Sequence, residues 1–409
     1  MSYKKNILTL IMGNTFAQAI PIGISPLLTR IYTPEDFGVF GVYIAIIAIL
    51  TSFSNGQYHI AIVLPVSNEK AINLAILSFF ITLALTIFLF LFIYIFYDSL
   101  ISLSNTSDIS TVLFFIPISI FLIGIYNIYT YLNTRNKTYK KISTSEIIKA
   151  LSSSFIQLLL GLINKNLIFL ILGNIGGFVI SILYFFFNFK NKVKTIKKVN
   201  LICVMKKYVE YPKINIFNNL LYNLSQYMIH LFITSIYEIK YVGFYTLVQR
   251  VMLIPTSIIG RAISQVFFQH MRDSIKINTA KQKFNETLIM LIFVSSIIFL
   301  FLFFYIKDIF IFIFGEDWKD AGNIAKLLIP LFFTQFIRSS INTVTMLYQK
   351  QKEQMIINLV MLLILLIIFF CSYFYNIHFN TMLLVYSVIM SIINICIIIY
   401  YATLIKEKK

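Results

Sequence analysis

Two arginines, Arg250 and Arg261, stand eleven residues apart inside a long apolar run. In a regular helix eleven steps of about 100° leave a net rotation of about 20°, so both are expected on one face, roughly 16 Å apart along the axis. Ser257 lies between them, and Pro255 is expected to kink the helix. A third arginine, Arg338, sits in another apolar run, with Gln335 three residues before it and Asn342 four after. A guanidinium binds two phosphate oxygens at once through its planar fork. A charged side chain at bilayer depth costs at least about 2.5–3.5 kcal/mol and usually faces water or a partner. The chemistry these residues suit is therefore the holding of an anion, a diphosphate above all, within the membrane. Arg261, nearer the end of its run, is also placed to snorkel.

A second set of polar residues follows helical spacing. Asn219, Asn223, Gln226 and His230 form one stripe, and Asn14 with Gln18 forms another. Two readings stand for these amides. They bond helix to helix inside a packed bundle, at about 0.6 kcal/mol each on average, or they line a hydrated central cavity and meet sugar hydroxyls. For Arg250 and Arg338 the cavity is the expectation, because their own apolar runs supply no acid. Glu146 and Glu286 are expected at cytoplasmic helix starts, where a carboxylate complements the helix dipole.

These residues need a scaffold, and the composition says which kind. Of 409 residues, 59% are hydrophobic and 12% charged, against about 45–50% and about 25% in soluble domains. Mean hydropathy is +0.84. Such a chain needs lipid as its solvent. The formal charge of +18 would suggest nucleic acid in a soluble protein. Here the basic residues are scattered over many short loops, which fits the positive-inside rule and excludes nucleic acid as the expected partner. Cys203, Cys371 and Cys396 form no framework, no cluster has metal-ligand spacing, and no Walker-type phosphate loop is present. No cofactor and no catalytic site is expected. The N-terminal apolar run is too long for a signal peptide and lacks its cleavage site, so it reads as a first span.

Apolar runs long enough to cross a bilayer predict twelve helices, at about 7–29, 37–64, 71–97, 111–133, 146–163, 167–187, 213–237, 241–269, 284–306, 323–347, 355–374 and 381–401. With both termini inside, about 24 of the 34 Lys and Arg fall on the cytoplasmic side and about 6 on the other. The longest cytoplasmic loop, 188–212, divides the chain nearly in half. A shift of 205 residues places Ile31-Tyr32 on Ile236-Tyr237, Gly38 on Gly243 and Asn14 on Asn219. The expectation is an all-α integral membrane protein of two six-helix bundles, 1–205 and 206–409, related by a pseudo-twofold axis along the membrane normal.

The loop after the first span reads Arg30-Ile31-Tyr32-Thr33-Pro34-Glu35-Asp36-Phe37-Gly38. Thr33 is an expected N-cap, Pro34 an expected first helical residue, and Glu35 and Asp36 suit the positive end of the dipole. Arg30, on the outer side against the charge rule, either pairs with Glu35 or Asp36 or draws an anion toward the exit. This segment resembles the signature of bacterial polysaccharide-biosynthesis membrane proteins, the O-antigen flippases of the multidrug/oligosaccharidyl-lipid/polysaccharide exporter superfamily. Gln57-Tyr58-His59-Ile60-Ala61-Ile62-Val63-Leu64-Pro65 resembles the end of that family's second helix. Phe314-Gly315-Glu316-Asp317-Trp318-Lys319-Asp320-Ala321-Gly322 resembles the loop before its tenth. The resemblance implies a non-enzymatic transporter in the bacterial inner membrane that moves an undecaprenyl-diphosphate-linked oligosaccharide from the cytoplasmic to the periplasmic leaflet. It implies partners of the polymerase and chain-length-regulator kind, and a gate role for Arg30, Pro34, Glu35 and position 59. His59 stands where the family often has Glu, so no ion-coupling role passes to it. Two other functions remain: a multidrug cation exporter, which would want acids in its spans, and a membrane polymerase or glycosyltransferase, which would want a large outer loop or an acidic catalytic site.

Overall fold

The computed structural model describes residues 3–102, 108–188, 201–276 and 279–406. Lys190, Lys192, Lys194, Lys197 and Lys198 of the central basic run and the tail lysines Lys408 and Lys409, which weigh in the charge asymmetry, lie outside the described residues. Everything regular among the described residues is helical. Contacts divide the chain into two compact units, Met1–Val242 and Gly243–Lys409.

The first unit contains α1 (Tyr3–Leu28), α2 (Pro34–Leu50), a 3-10 segment (Ser54–Val63), α3 (Asn68–Ile95), α4 (Tyr97–Ser102), α5 (Asp108–Val112), α6 (Phe115–Arg135), α7 (Tyr139–Ile163), α8 (Ile168–Asn188), α9 (Leu201–Lys207), α10 (Glu210–Ile236) and the first turn of α11 (Ile239–Met252). Here α7 packs along α1 and α8, α3 along the 3-10 segment and α6, and α10 along α2. The second unit holds the rest of α11, a π-helical turn (Thr256–Gly260), α12 (Arg261–Lys276), α13 (Ala280–Phe314), α14 (Lys319–Ile341), α15 (Thr343–Leu347), α16 (Gln351–Phe374) and α17 (Phe379–Lys406). In this unit α14 is the central element, packed against α13 and α17.

Among the described residues eight helices are long and apolar enough to cross a membrane, and the count is up to ten if two bent pairs each make one span. The bent pairs are Pro34–Leu50 with Ser54–Val63, at 60°, and Ile239–Met252 with Thr256–Met271, at 41°. The helices α1 and α10, of 26 and 27 residues, also have the length, and the Asn219–His230 stripe dilutes the apolar character of α10. These twelve elements correspond one for one to the twelve expected spans.

Two expectations differ from the structure. Spans two and eight are broken rather than continuous. Several helices also begin a turn or two before the apolar run, because a helix continues past the hydrocarbon while hydropathy marks only the immersed part. Thus α7 begins at Tyr139 and α13 at Ala280. Glu146 and Glu286 are consequently not first-turn residues.

The break in the second span is built by three successive left-handed residues, Asn55 (φ 57), Gly56 (φ 53) and Gln57 (φ 56). Non-glycine residues reach this region at a steric cost of roughly 1–2 kcal/mol, and asparagine tolerates it better than most. Asn55 is fully buried, and its side chain offsets the strain. Its amide donates to Thr82 Oγ1 at 2.8 Å, to the Gly124 carbonyl at 3.1 Å and to the Ser78 carbonyl at 3.4 Å, while its backbone N–H donates to Thr82 Oγ1 at 3.1 Å. A Cβ at Gly124 would collide with Thr82, so glycine there permits the close approach. At the far end of the segment Arg135 donates to the carbonyls of Ile62, Pro65 (2.5 Å) and Val66 and to Asn68 Oδ1, closing off its free carbonyls.

Replacing Asn55 with Leu removes these bonds and places a branched residue in a left-handed conformation. We expect a loss of about 2–4 kcal/mol, read as a lowered Tm of the detergent-solubilised protein. Asn55→Gly keeps the backbone relaxed and should lose only the side-chain share, so a Tm equal to that of Asn55→Leu would contradict this account.

Candidate functional site

The loop after α1 folds as its sequence predicts. Thr33 caps α2: its hydroxyl accepts from the Asp36 N–H at 3.2 Å, and Asp36 Oδ2 accepts from the Thr33 N–H at 2.9 Å, a reciprocal capping box. Pro34 occupies the first helical turn. Arg30 and Glu35 are exposed, whereas Tyr32 and Phe37 are buried. The Tyr32 hydroxyl donates to the Gln157 carbonyl in α7 at 2.8 Å, and Gly161 gives it room, since a Cβ there would strike the tyrosine ring. Burial, and then the charge of Asp36, push the Tyr32 hydroxyl up to about 12, so it remains a neutral donor at physiological pH. Gly38 lets α2 approach the carbonyl of Ile239 at the start of α11. Tyr32, Phe37 and Gly38 thus lock helices together, which leaves Arg30 and Glu35 as the solvent-facing charges of the motif.

His59 is buried in the 3-10 segment, edge-on to Tyr131 at 5.0 Å between ring centroids. It packs against an aromatic side chain on α6.

The amide stripe of α10 divides into two kinds of residue. The Asn223 amide donates to the Ala48 carbonyl at 2.7 Å and to Ser52 Oγ at 3.0 Å; the Asn219 amide donates to Gln57 Oε1 at 3.0 Å. Gln57 in turn donates to the Ser52 carbonyl at 2.8 Å. Asn219 and Asn223 therefore satisfy groups released where α2 breaks. Gln226 is partly exposed on the same helix, and His230 is buried beside Tyr227 at 6.0 Å. On α1, Asn14 and Gln18 are both half-buried.

In the second unit Arg250, near the end of α11, is half-buried, and Arg261, the first residue of α12, is exposed. The single face expected for them assumed a regular helix. Pro255 and the π-helical turn between them widen the spiral and bend the axis by 41°, so the eleven-residue spacing no longer fixes a shared direction.

Arg338 belongs to a polar chain crossing three helices. Its Nη1 lies 3.7 Å from Met361 Sδ on α16, and its field reaches the hydroxyls of Tyr386 and Tyr401 on α17. Tyr401 donates to Asn342 Oδ1 at 2.8 Å and stands 3.4 Å from Gln354 Oε1. Gln354 reaches Asn358 Oδ1 at 3.4 Å, and one turn before Arg338 the Asn394 amide donates to Thr334 Oγ1 at 3.1 Å. Gln335 is half-buried on the same helix and Asn342 is exposed at its end. The structure thus places Asn342 in a bonded network with Tyr401, while Arg338, one turn earlier on α14, lies against Met361. The partners Gln354, Asn358, Asn394 and Tyr401 were not anticipated, although Gln354 and Asn358 at a spacing of four in an apolar run carried a signal.

The first unit also holds an acid at helix depth. Glu146, in the third turn of α7, accepts from the Tyr126 hydroxyl at 2.8 Å and pairs with Lys149 at 2.7 Å. The Lys149 ammonium lies 4.5 Å from the Tyr126 ring centroid and 5.1 Å from that of Phe178. The pair is neutral as a unit. Among the described residues no group of three His, Cys, Asp or Glu could hold a metal ion.

With this geometry in view, the chain can be set beside known proteins. Its sequence matches the profile of the family described as "Polysaccharide biosynthesis protein" over residues 27–323. No curated protein sequence matches it significantly. Among solved structures, the lipid II flippase MurJ in an inward closed conformation superposes with a TM-score of 0.76 at 15% identity, covering 98% of this chain and 87% of that one. The inward-facing form of a multidrug resistance MATE family transporter of the MOP superfamily gives 0.64 at 11% identity over 97% and 96%. An outward-facing form of such a transporter gives 0.60 at 12% identity over 99% and 97%. The fold is that of these transporters.

The two kinds of α10 amide should separate in stability. Asn223→Ala removes the bonds from α10 to Ser52 Oγ and to the Ala48 carbonyl, which keeps only the local Thr51 hydroxyl, and should cost about 1–2 kcal/mol, whereas Gln226→Ala should fall within about 0.5 kcal/mol of the parent. Thermal unfolding in detergent reads both, and equal losses would refute the division.

Proposed function

We propose a transport function on the premise that this chain belongs to the polysaccharide biosynthesis protein family, whose profile covers residues 27–323. It is a flippase for an oligosaccharide linked to undecaprenyl diphosphate, moved from the cytoplasmic to the periplasmic leaflet of the bacterial inner membrane for O-antigen or another surface polysaccharide. A lipid II flippase and multidrug transporters share this fold, so the fold leaves the cargo open and the charges of the spans must choose.

The observation that carries the choice is Arg338 in its polar chain on α14, α16 and α17. From Asn323 to Ile405 the sequence contains one acid, Glu353, and Lys350 pairs with it at 2.6 Å. A cationic drug would meet repulsion beside Arg338, whereas a diphosphate would gain charge-assisted bonds. In this reading Arg250 and Arg338 hold the diphosphate at membrane depth and Arg261 meets it at the cytoplasmic end. Gln335, Asn342, Gln226, His230, Asn14 and Gln18 bond sugar hydroxyls, and Asn219 and Asn223 contribute by holding the broken span in shape. Arg30 and Glu35 border the outer exit. The bias of Lys and Arg in the sequence supports cytoplasmic termini. A polymerase and a chain-length regulator are the partners such a transporter would hand its cargo to.

The test is complementation of a flippase-null strain. Arg250→Ala and Arg338→Ala should each lower surface polysaccharide by about tenfold or more at equal membrane abundance, corresponding to about 1.4 kcal/mol or more of lost anion binding, and Arg338→Lys should retain part of it. Full polysaccharide from both alanine variants would overturn the assignment. Expression in a drug-sensitive host should leave tolerance of cationic drugs unchanged; increased tolerance would favour the multidrug exporter.

A further inference from the structure

A groove in the second unit lies outside the residues assigned to transport. It runs between α12 and α13 and encloses about 490 Å³, within the range of small-ligand sites. From α12 it takes Ile263, Val266, Phe267 and His270, and from α13 it takes Lys283, Glu286, Thr287 and Met290. These positions recur at three, four and seven, so each helix turns one face to the groove.

The groove is graded along its length. His270, Lys283, Glu286 and Thr287 lie at the end near the α12–α13 turn. Away from that turn the walls are apolar: Phe267 is buried at 2% exposure, while Val266 and Met290 are open at 57% and 45%. A polar end joined to an open apolar channel, along helices that cross the bilayer, matches an amphiphile lying parallel to them. A water-soluble ligand would have no use for the apolar walls, and a purely apolar one would leave the charges unused.

The charges specify the head group. Lys283 Nζ pairs with Glu286 Oε2 at 2.6 Å, and Gln282 Nε2 donates to Glu286 Oε1 at 2.9 Å. An ammonium has three donors and a carboxylate about four acceptor positions, so this pair retains capacity on both sides. The side chains are 43% and 49% exposed, open to a ligand. A cation and an anion held side by side, with the His270 ring near, complement a head group that carries both signs. A purely anionic head group would meet the Glu286 carboxylate.

We propose that this groove binds a phosphoethanolamine lipid. The phosphate sits on Lys283 and His270, the primary ammonium donates to Glu286, and one acyl chain lies along Ile263, Val266 and Met290. A quaternary choline has no N–H to give Glu286, and a glycerol head group has no cation, so both bind less well.

The experiment is lipid binding by the full-length protein, with phosphatidylethanolamine, phosphatidylcholine and phosphatidylglycerol of matched chains competing in mixed micelles and the retained lipid counted by native mass spectrometry. The parent should retain phosphatidylethanolamine about tenfold over either competitor, the scale of one charge-assisted bond. Glu286→Gln should abolish the preference for ethanolamine over choline, and Val266→Trp, which fills the channel, should remove all three lipids while the protein stays folded. Equal retention of the three lipids by the parent, or an unchanged preference in Glu286→Gln, would overturn the proposal. So would displacement of the bound lipid by inorganic phosphate alone, or preferential displacement by a short polyprenyl diphosphate, which would make the groove part of the cargo path. None of these readouts depends on transport, so they stand apart from the complementation result.

Discussion

Within lipid, every backbone N–H and C=O must find its partner inside the protein, and this constraint organises the first unit. A continuous helix meets it without help. The second span does not, because Asn55, Gly56 and Gln57 turn left-handed and interrupt the ladder. The groups released there are taken up by side chains: Asn223 of α10 on the Ala48 carbonyl, Gln57 of the segment itself on the Ser52 carbonyl, Asn219 of α10 on Gln57, and Arg135 of α6 at the far end of the segment. Polar residues that look costly in apolar runs are thereby accounted for by local backbone geometry.

The same constraint sorts polar residues by what they can still do. Asn219 and Asn223 have their amide donors committed to the break. Glu146 is neutralised by Lys149 and bonded by Tyr126. The second unit is different in sign: beyond Asp320 in the first turn of α14, its last three long helices carry a guanidinium, several amides and tyrosine hydroxyls, and one further carboxylate, Glu353, already paired with a lysine. Interhelical hydrogen bonds of this kind contribute only about 0.6 kcal/mol each, too little by themselves to offset an arginine at membrane depth.

The loop that carries the family resemblance has a largely mechanical explanation. Thr33 and Asp36 start a helix, Tyr32 reaches a carbonyl on α7, Phe37 is buried, and Gly38 permits contact with the start of α11. Such a segment is recognisable because so many separate steric and hydrogen-bonding demands fall on nine consecutive residues. It marks the fold more directly than it marks the cargo.

Hydropathy determined the membrane class and the helical elements, and residue type determined the cap at Thr33, because these depend on local composition and on nearest neighbours along the chain. Regular spacing also placed the amide stripes on single helix faces. It could not determine which amides hold the protein together, since Asn223 meets a carbonyl 175 residues away in sequence, nor that a π-helical turn interrupts the helix between Arg250 and Arg261. The bonds of Asn342 and Gln354 to Tyr401, the contact of Arg338 with Met361, and the seating of the local Glu146–Lys149 pair against Tyr126 and Phe178 were decided by tertiary structure alone. Periodicity fixes where a side chain points around its own axis, whereas its partner is set by how the helices bend and pack, and that information is spread over the whole chain.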